Sequence, residues 1–278
     1  MERLKVRQPV AAGPQGYGFY LSDPEGLKKQ IATLIDKNPK EKEEAIGCVL
    51  PHAGYIYSGK IAAETLNRIN IRNKVILLGP NHTGNGAPYS IMPEGAWLTP
   101  LGEVRIDSLL AKAILKDSKY LQTDTYAHLG EHSLEVELPI LQYLKKDFEI
   151  VPIVFMSDDL TALKNIGKEI AKAVRGLGLS GSVLLAASSD LTHYEPEEEA
   201  KKKDLAAIEA ILELSPDKLM ESVRRLNISM CGYAPVIAML EAAKGLGAKK
   251  AELIKYQTSG ESTGDKTSVV GYAGIIIY

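Results

Sequence analysis

The chain has 278 residues, a span that one α/β layer architecture can fill, so a single domain over residues 1–278 is the expectation. Its 33 basic and 35 acidic residues give a formal net charge of -2 and are interspersed, which leaves no basic stripe for nucleic acid. The first residues lack the apolar core of a signal peptide, and no apolar run approaches the roughly 20 residues of a membrane span, so a cytoplasmic protein without membrane association is expected.

Apolar, β-rich runs alternate with amphipathic stretches along the chain. In order, residues 24–35 read as helix, 46–50 as strand, 59–68 as helix, 75–78 as strand, 108–115 and 133–145 as helices, and 150–155 as strand. Residues 160–174 then read as helix, 183–187 as strand, 197–212 and 233–243 as helices, and 253–256 and 269–277 as strands. The 133–145 segment carries Leu134, Leu138, Leu141 and Leu144 at helical spacing. This alternation predicts a three-layer α/β/α fold around a largely parallel or mixed sheet. The Lys/Glu runs at 38–44 and 195–203 read as solvated surface, and no internal repeat is visible.

Three predicted strands end in a polar loop that carries a histidine. Residues 46–50 lead into Pro51-His52-Ala53-Gly54-Tyr55, residues 75–78 into Gly79-Pro80-Asn81-His82, and residues 183–187 into Ser188-Ser189-Asp190-Leu191-Thr192-His193. Strand carboxyl ends share one edge of a parallel sheet, so His52, His82 and His193 are expected at one crevice. His132 and Glu131 precede a predicted helix and are expected to line the pocket, whereas His128 reads as a surface or packing residue. His193 is a candidate proton donor or acceptor, and Asp190 reads either as the group that orients it or as a helix cap.

Only two cysteines occur, too few for a disulfide framework. Cys231 opens the 233–243 helix, where the helix dipole favours a thiolate, while Cys48 lies inside an apolar strand as a small hydrophobe. Tyr55, Tyr57, Tyr194, Tyr233 and Trp97 read equally as rim aromatics for a small-molecule or peptide ligand and as packing residues. His128-Leu129-Gly130-Glu131-His132 also fits the H-x-x-E-H pattern of one zinc-peptidase class, although Gly130 opposes the helix it needs. No G-x-S-x-G elbow is present. Residues 259–265 lack a P-loop lysine and read as a polar turn between the last strands, at the pocket rim.

The segments PHAGYIYSG, LLGPNHTG, WLTPLGEV, AHLGEHSLEVELP, ASSDLTHY, SMCGYAPV and YQTSGESTGD resemble, in this order, the Memo family, component B of the AmmeMemoRadiSam system. One departure is an extra Pro14-Gln15-Gly16-Tyr17-Gly18 in the N-terminal loop, residues 13–19. The resemblance implies an α/β/α fold similar to the class III extradiol, non-haem-iron dioxygenases, and a microbial association with a radical SAM protein and its small companion. It implies metal ligation by His52, His82 and Cys231, with iron or copper as the ion and zinc as an alternative; a thiolate in place of a carboxylate favours the softer ions. His193, Asp190 and His132 are the candidate catalytic residues beside it. Three function classes follow: a metal-dependent, dioxygenase-like oxidoreductase, a non-catalytic peptide- or protein-binding module, and a hydrolase or transferase using Cys231 with a histidine base.

Overall fold

The computed structural model describes residues 6–14, 18–36, 41–116 and 118–278. Residues 15–17 of the N-terminal departure and 38–40 of the first charged run lie outside the described residues.

The central sheet holds β1 (Gly47–Leu50), β2 (Lys74–Pro80), β3 (Tyr89–Ile91), β4 (Gln122–Thr123), β5 (Glu149–Phe155), β6 (Val183–Ser188), β7 (His193–Glu195), β8 (Ala251–Thr258) and β9 (Val269–Ile277). Their order is β7-β9-β1-β6-β2-β5-β3-β4, with β8 also paired to β9. β1, β6, β2 and β5 are mutually parallel neighbours, and antiparallel pairing begins outside them, at β9 and β3. The sheet is therefore mixed around a parallel centre.

Side chains of successive strand residues point to opposite faces, and both faces are apolar. Val49, Ile76, Leu78, Val151, Ile153, Leu185 and Ile275 belong to one buried core, while Cys48, Leu50, Val75, Leu77, Ile150, Leu184 and Ile276 belong to the other. The first core is closed by α1 (Leu160–Gly176), α2 (Glu197–Leu212), α3 (Pro216–Leu226) and α4 (Tyr233–Gly245), and the second by the helices Pro24–Leu34, Lys60–Asn67 and Leu138–Leu144. This is the expected α/β/α layering.

Helix ends follow their capping residues. Asp23 accepts the Gly26 N–H at 2.8 Å with Pro24 as the first helical residue, and Asp159 accepts the Ala162 N–H at 2.7 Å at the start of α1. The sequence reading omits α3, although Ser215 caps it, Pro216 opens it and Asn227 closes it in the left-handed region at φ 49°. It also overextends one helix: of residues 133–145, only Leu138–Leu144 is regular helix. Pro139 removes one backbone donor there, and the preceding turns close through isolated bonds, from the Val136 N–H to the His132 carbonyl and from the Leu138 N–H to the Glu135 carbonyl, both 3.0 Å. Of the 195–203 run, Glu197 departs from the solvated reading: it is buried and accepts from Thr258 Oγ1 at 2.8 Å.

Among the described residues, no helix is long and apolar enough to cross a membrane. A smaller sheet pairs Val6–Arg7 with Ala96–Thr99 and the latter with Gly102–Arg105. It seats the Arg7 guanidinium 4.1 Å from the centroid of the fully buried Trp97 ring. Arg7 donates to the His128 carbonyl at 2.6 Å and to Glu135 Oε2 at 2.6 Å, with both ionic groups fully buried.

His128 lies fully buried beside Trp97, and neither ring nitrogen has a partner among the described residues. Burial and the nearby Arg7 charge push its pKa down to about 3. The unfolded chain therefore binds the proton more strongly, and folding stability falls as pH drops below about 6.5. The stability difference between pH 7 and pH 5, measured by urea unfolding, is expected to shrink by about 2 kcal/mol in His128→Leu. An unchanged difference would show that His128 is not the group responsible.

Candidate metal centre

β1 stops where Pro51 offers no N–H, and His52 follows at the sheet edge shared with β6 and β2. His52 is 2 % exposed. Its backbone N–H donates to Asp190 Oδ1 at 2.9 Å, and its Nδ1 lies 2.7 Å from Ser188 Oγ. The nitrogen left for a ligand is Nε2. Burial, followed by the neighbouring His82 and His132, depresses the His52 pKa well below the usual imidazole value, so the ring is neutral.

His82 follows β2. Its Nδ1 lies 2.9 Å from Glu131 Oε1, and its backbone N–H donates to the other oxygen of the same carboxylate. Burial opposes ionisation of Glu131, but hydrogen bonds from His82 and Ser133 outweigh it and hold the pKa down to about 2. His132 stacks on His82 with ring centroids 4.8 Å apart and packs against Phe19 at 4.3 Å. Each of His52, His82 and His132 offers one nitrogen, and these three atoms lie within 4.8 Å of one another. Three neutral-capable imidazoles with partly anchored Nδ1 atoms fit a borderline transition-metal ion.

Cys231 approaches from the other side. Its Sγ lies 3.4 Å from His52 Nε2 and accepts the Asp190 N–H at 3.3 Å. Gly232, at the start of α4, makes this possible, because a Cβ there would collide with the Ser188 carbonyl and the Ser189 side chain. The expected thiolate bias is reversed: burial around the sulfur and the Asp190 charge push the Cys231 thiol up, and these outweigh the helix terminus. Burial likewise pushes up Cys48, which is a core residue as expected.

The histidines open into a cavity of about 590 Å³ also lined by Asp190, His193, Tyr57 and Tyr194. Asp190 caps no helix, since α2 opens at Pro196; it holds the His52 loop instead. Burial raises its pKa, partly offset by the charge of His193. The His193 ring is set by the Ser229 carbonyl, 2.9 Å from Nδ1. Tyr194 is 78 % exposed and held at φ 58°, a conformation costly for a bulky residue. Ser259 and Thr263 line the cavity from the turn between β8 and β9, as predicted.

Not every candidate reaches the cavity. Tyr55 is buried and donates to the Val136 carbonyl at 2.7 Å, Trp97 is core, and Tyr233 donates to Asp158 at 3.0 Å. The peptidase-like reading of residues 128–132 fails, because the short helix Tyr126–Leu129 ends at Gly130 and Glu131 is committed to His82. Sequence reasoning missed Phe19, Tyr272, Ser188 and Glu137, and only the ASSDLTHY and GEHSLEVELP segments gave a signal for the last two.

The sequence pattern described as Memo-like protein matches residues 7–276. The chain belongs to the Memo family. It is 44% identical over 274 residues to a MEMO1 family protein of Aquifex aeolicus, covering 98% of this chain and 99% of that protein. It is also 44% identical over 291 residues to a MEMO1 family protein of Methanocaldococcus jannaschii, covering 98% and 99%. An uncharacterized Escherichia coli K12 protein of known structure shares the fold at TM-score 0.54 and 12% identity, over 83% of this chain and 98% of that one. In this Memo chain the PHAGY, PNHTG and GEHS segments bring His52, His82 and His132 together at one cavity edge, whereas Cys231 of SMCGY touches His52 but is neither in that group of three nor among the cavity-lining residues.

Glu131 is the residue on which the His82 side hangs. Glu131→Ala leaves the His82 and Ser133 N–H groups without their acceptor and is expected to cost about 3 kcal/mol. A lower urea midpoint at unchanged slope would show it. A loss below about 0.5 kcal/mol would mean that water replaces the carboxylate fully.

Proposed function

We propose that this Memo family protein binds one iron or copper ion on His52, His82 and Cys231, with His132 beside them, and performs redox or dioxygenase-like chemistry on a ligand in the cavity. The observation that carries this reading is the convergence of one nitrogen from each of His52, His82 and His132 within 4.8 Å at the wall of the cavity, with the Cys231 sulfur 3.4 Å from His52 Nε2. The mixed nitrogen and sulfur set suits iron, copper or zinc, and a thiolate shifts preference toward the softer ions. A redox-active ion in this place supplies electron transfer or oxygen activation. The chain's own part is to orient the ligands through Ser188 and Glu131, to offer His193 and Asp190 for proton transfer, and to shape the site with Phe19, Tyr57 and Tyr272. A small molecule or a peptide is the proposed occupant, and a radical SAM protein with its small companion are the proposed partners.

The 3.4 Å contact between Cys231 Sγ and His52 Nε2 also favours a second reading, a cysteine–histidine dyad for hydrolysis or group transfer. The raised thiol pKa weighs against it.

Elemental analysis and cobalt(II) or copper(II) titration test both. One ion per chain is expected, lost in His52→Ala, His82→Ala, with thiolate charge-transfer absorption that disappears in Cys231→Ser. Absorption that survives in Cys231→Ser while His132→Ala abolishes binding would replace the sulfur by an all-imidazole set. Full metal content in the double histidine variant would overturn the site.

A further inference from the structure

Ser188 and Glu137 do not line the cavity, yet they stand directly behind His52. Ser188 Oγ has three close neighbours: the Ser133 carbonyl at 2.9 Å, Glu137 Oε1 at 3.1 Å and His52 Nδ1 at 2.7 Å. A hydroxyl owns one hydrogen and accepts two others. The carbonyl can only accept. When the hydroxyl hydrogen goes to the carbonyl, both remaining neighbours must donate, which requires a protonated Glu137 and an Nδ1–H on His52.

Glu137 is 1 % exposed, and its second oxygen has no partner among the described residues. An ionised carboxylate with a bare oxygen in the interior is the costliest state open to this group; a neutral acid avoids that cost. We propose that Glu137 is a positioning residue: as a neutral acid it donates to Ser188 Oγ, Ser188 accepts from His52 Nδ1–H, and His52 is thereby fixed in the tautomer that keeps the Nε2 lone pair free. Burial, which pushes the Glu137 carboxyl well above the usual carboxylate range, agrees with this assignment. So does Cys231, whose S–H then has the Nε2 lone pair 3.4 Å away to donate to. The carboxylate–histidine pair that commonly orients a metal ligand is here lengthened by one serine and carries one more proton.

The tautomer is read in the metal-free protein by ¹⁵N NMR of labelled histidine, and the carboxyl by infrared spectroscopy in D₂O. The wild type is expected to show His52 as the Nδ1–H form and a carbonyl band of a protonated acid that vanishes in Glu137→Gln. Glu137→Gln keeps an N–H donor to Ser188 and should keep the tautomer, whereas Glu137→Met and Ser188→Ala should mix the two forms. Zinc affinity should be unchanged in Glu137→Gln and about 10–100-fold weaker in Glu137→Met and Ser188→Ala. An Nε2–H form in the wild type, or no protonated-acid band that depends on Glu137, would overturn the proposal, and both measurements stand even if Glu137→Met fails to fold. Only the zinc arm rests on the metal reading above. A wild type that binds no ion sinks that reading, and the tautomer and band still decide the role of Glu137.

Discussion

Three acidic side chains, Glu131, Glu135 and Glu137, are buried to 1 % exposure or less between residues 131 and 137, and the structure around the site is organised by the need to pair their charge or to hold them neutral. Burying a charge costs several kcal/mol unless it is paired and hydrogen-bonded. Each finds a different solution. Glu131 collects the His82 ring and backbone; Glu135 takes Arg7, the Val10 and Ala11 N–H groups and the Tyr20 hydroxyl; Glu137 reaches Ser188. One short segment thus ties the N-terminal strands, the loop after β2 and the end of β6 to one another. Breaking any one partner leaves an uncompensated buried group, so the three attachments are coupled through the segment that bears them.

The sheet itself was legible because strands buried on both faces are continuous apolar runs, and the parallel strands at 75–78, 150–155 and 183–187 and the antiparallel 269–277 carry that pattern with little competition. The loops that end β1, β2 and β6 were legible for the same reason: a histidine or aspartate directly after such a run can only fall at the sheet edge. What sequence hid was the inside of the 131–137 segment. Glu, Val and Glu in succession with leucines at helical spacing describe an exposed helix face, and nothing local announces that an arginine more than a hundred residues earlier will neutralise Glu135. For His128 and Trp97 the packing alternative holds, and both lie against that same arginine. The thiol of Cys231 shows a different limit. The helix start was read correctly, but its dipole is outweighed by burial and by Asp190, and neither is visible before the chain folds.

The site's chemistry follows from neutrality. His52 cannot easily take a proton where it lies, and burial lowers His132 as well, so these two rings turn lone pairs rather than positive charges toward the site. An anion-binding pocket would require the opposite. Asp190 contributes on the backbone side, where it clamps the His52 loop and the Cys231 sulfur to the same residue.

The histidines at the cavity edge are mounted in two different ways. Cys231 and His52 are mounted on sheet ends and on a helix start seated so closely on β6 that Gly232 has no room for a side chain. His132, opposite, is braced through its ring against Phe19, which belongs to the N-terminal segment and is pinned through the Ala11 carbonyl and Tyr55. One side is therefore set by the register of the parallel strands, and the other by the buried 131–137 segment with Phe19 laid against it. Phe19 itself lines the cavity, so the bulk of the side chain at that position sets the room beside His132 without touching the mount of His52.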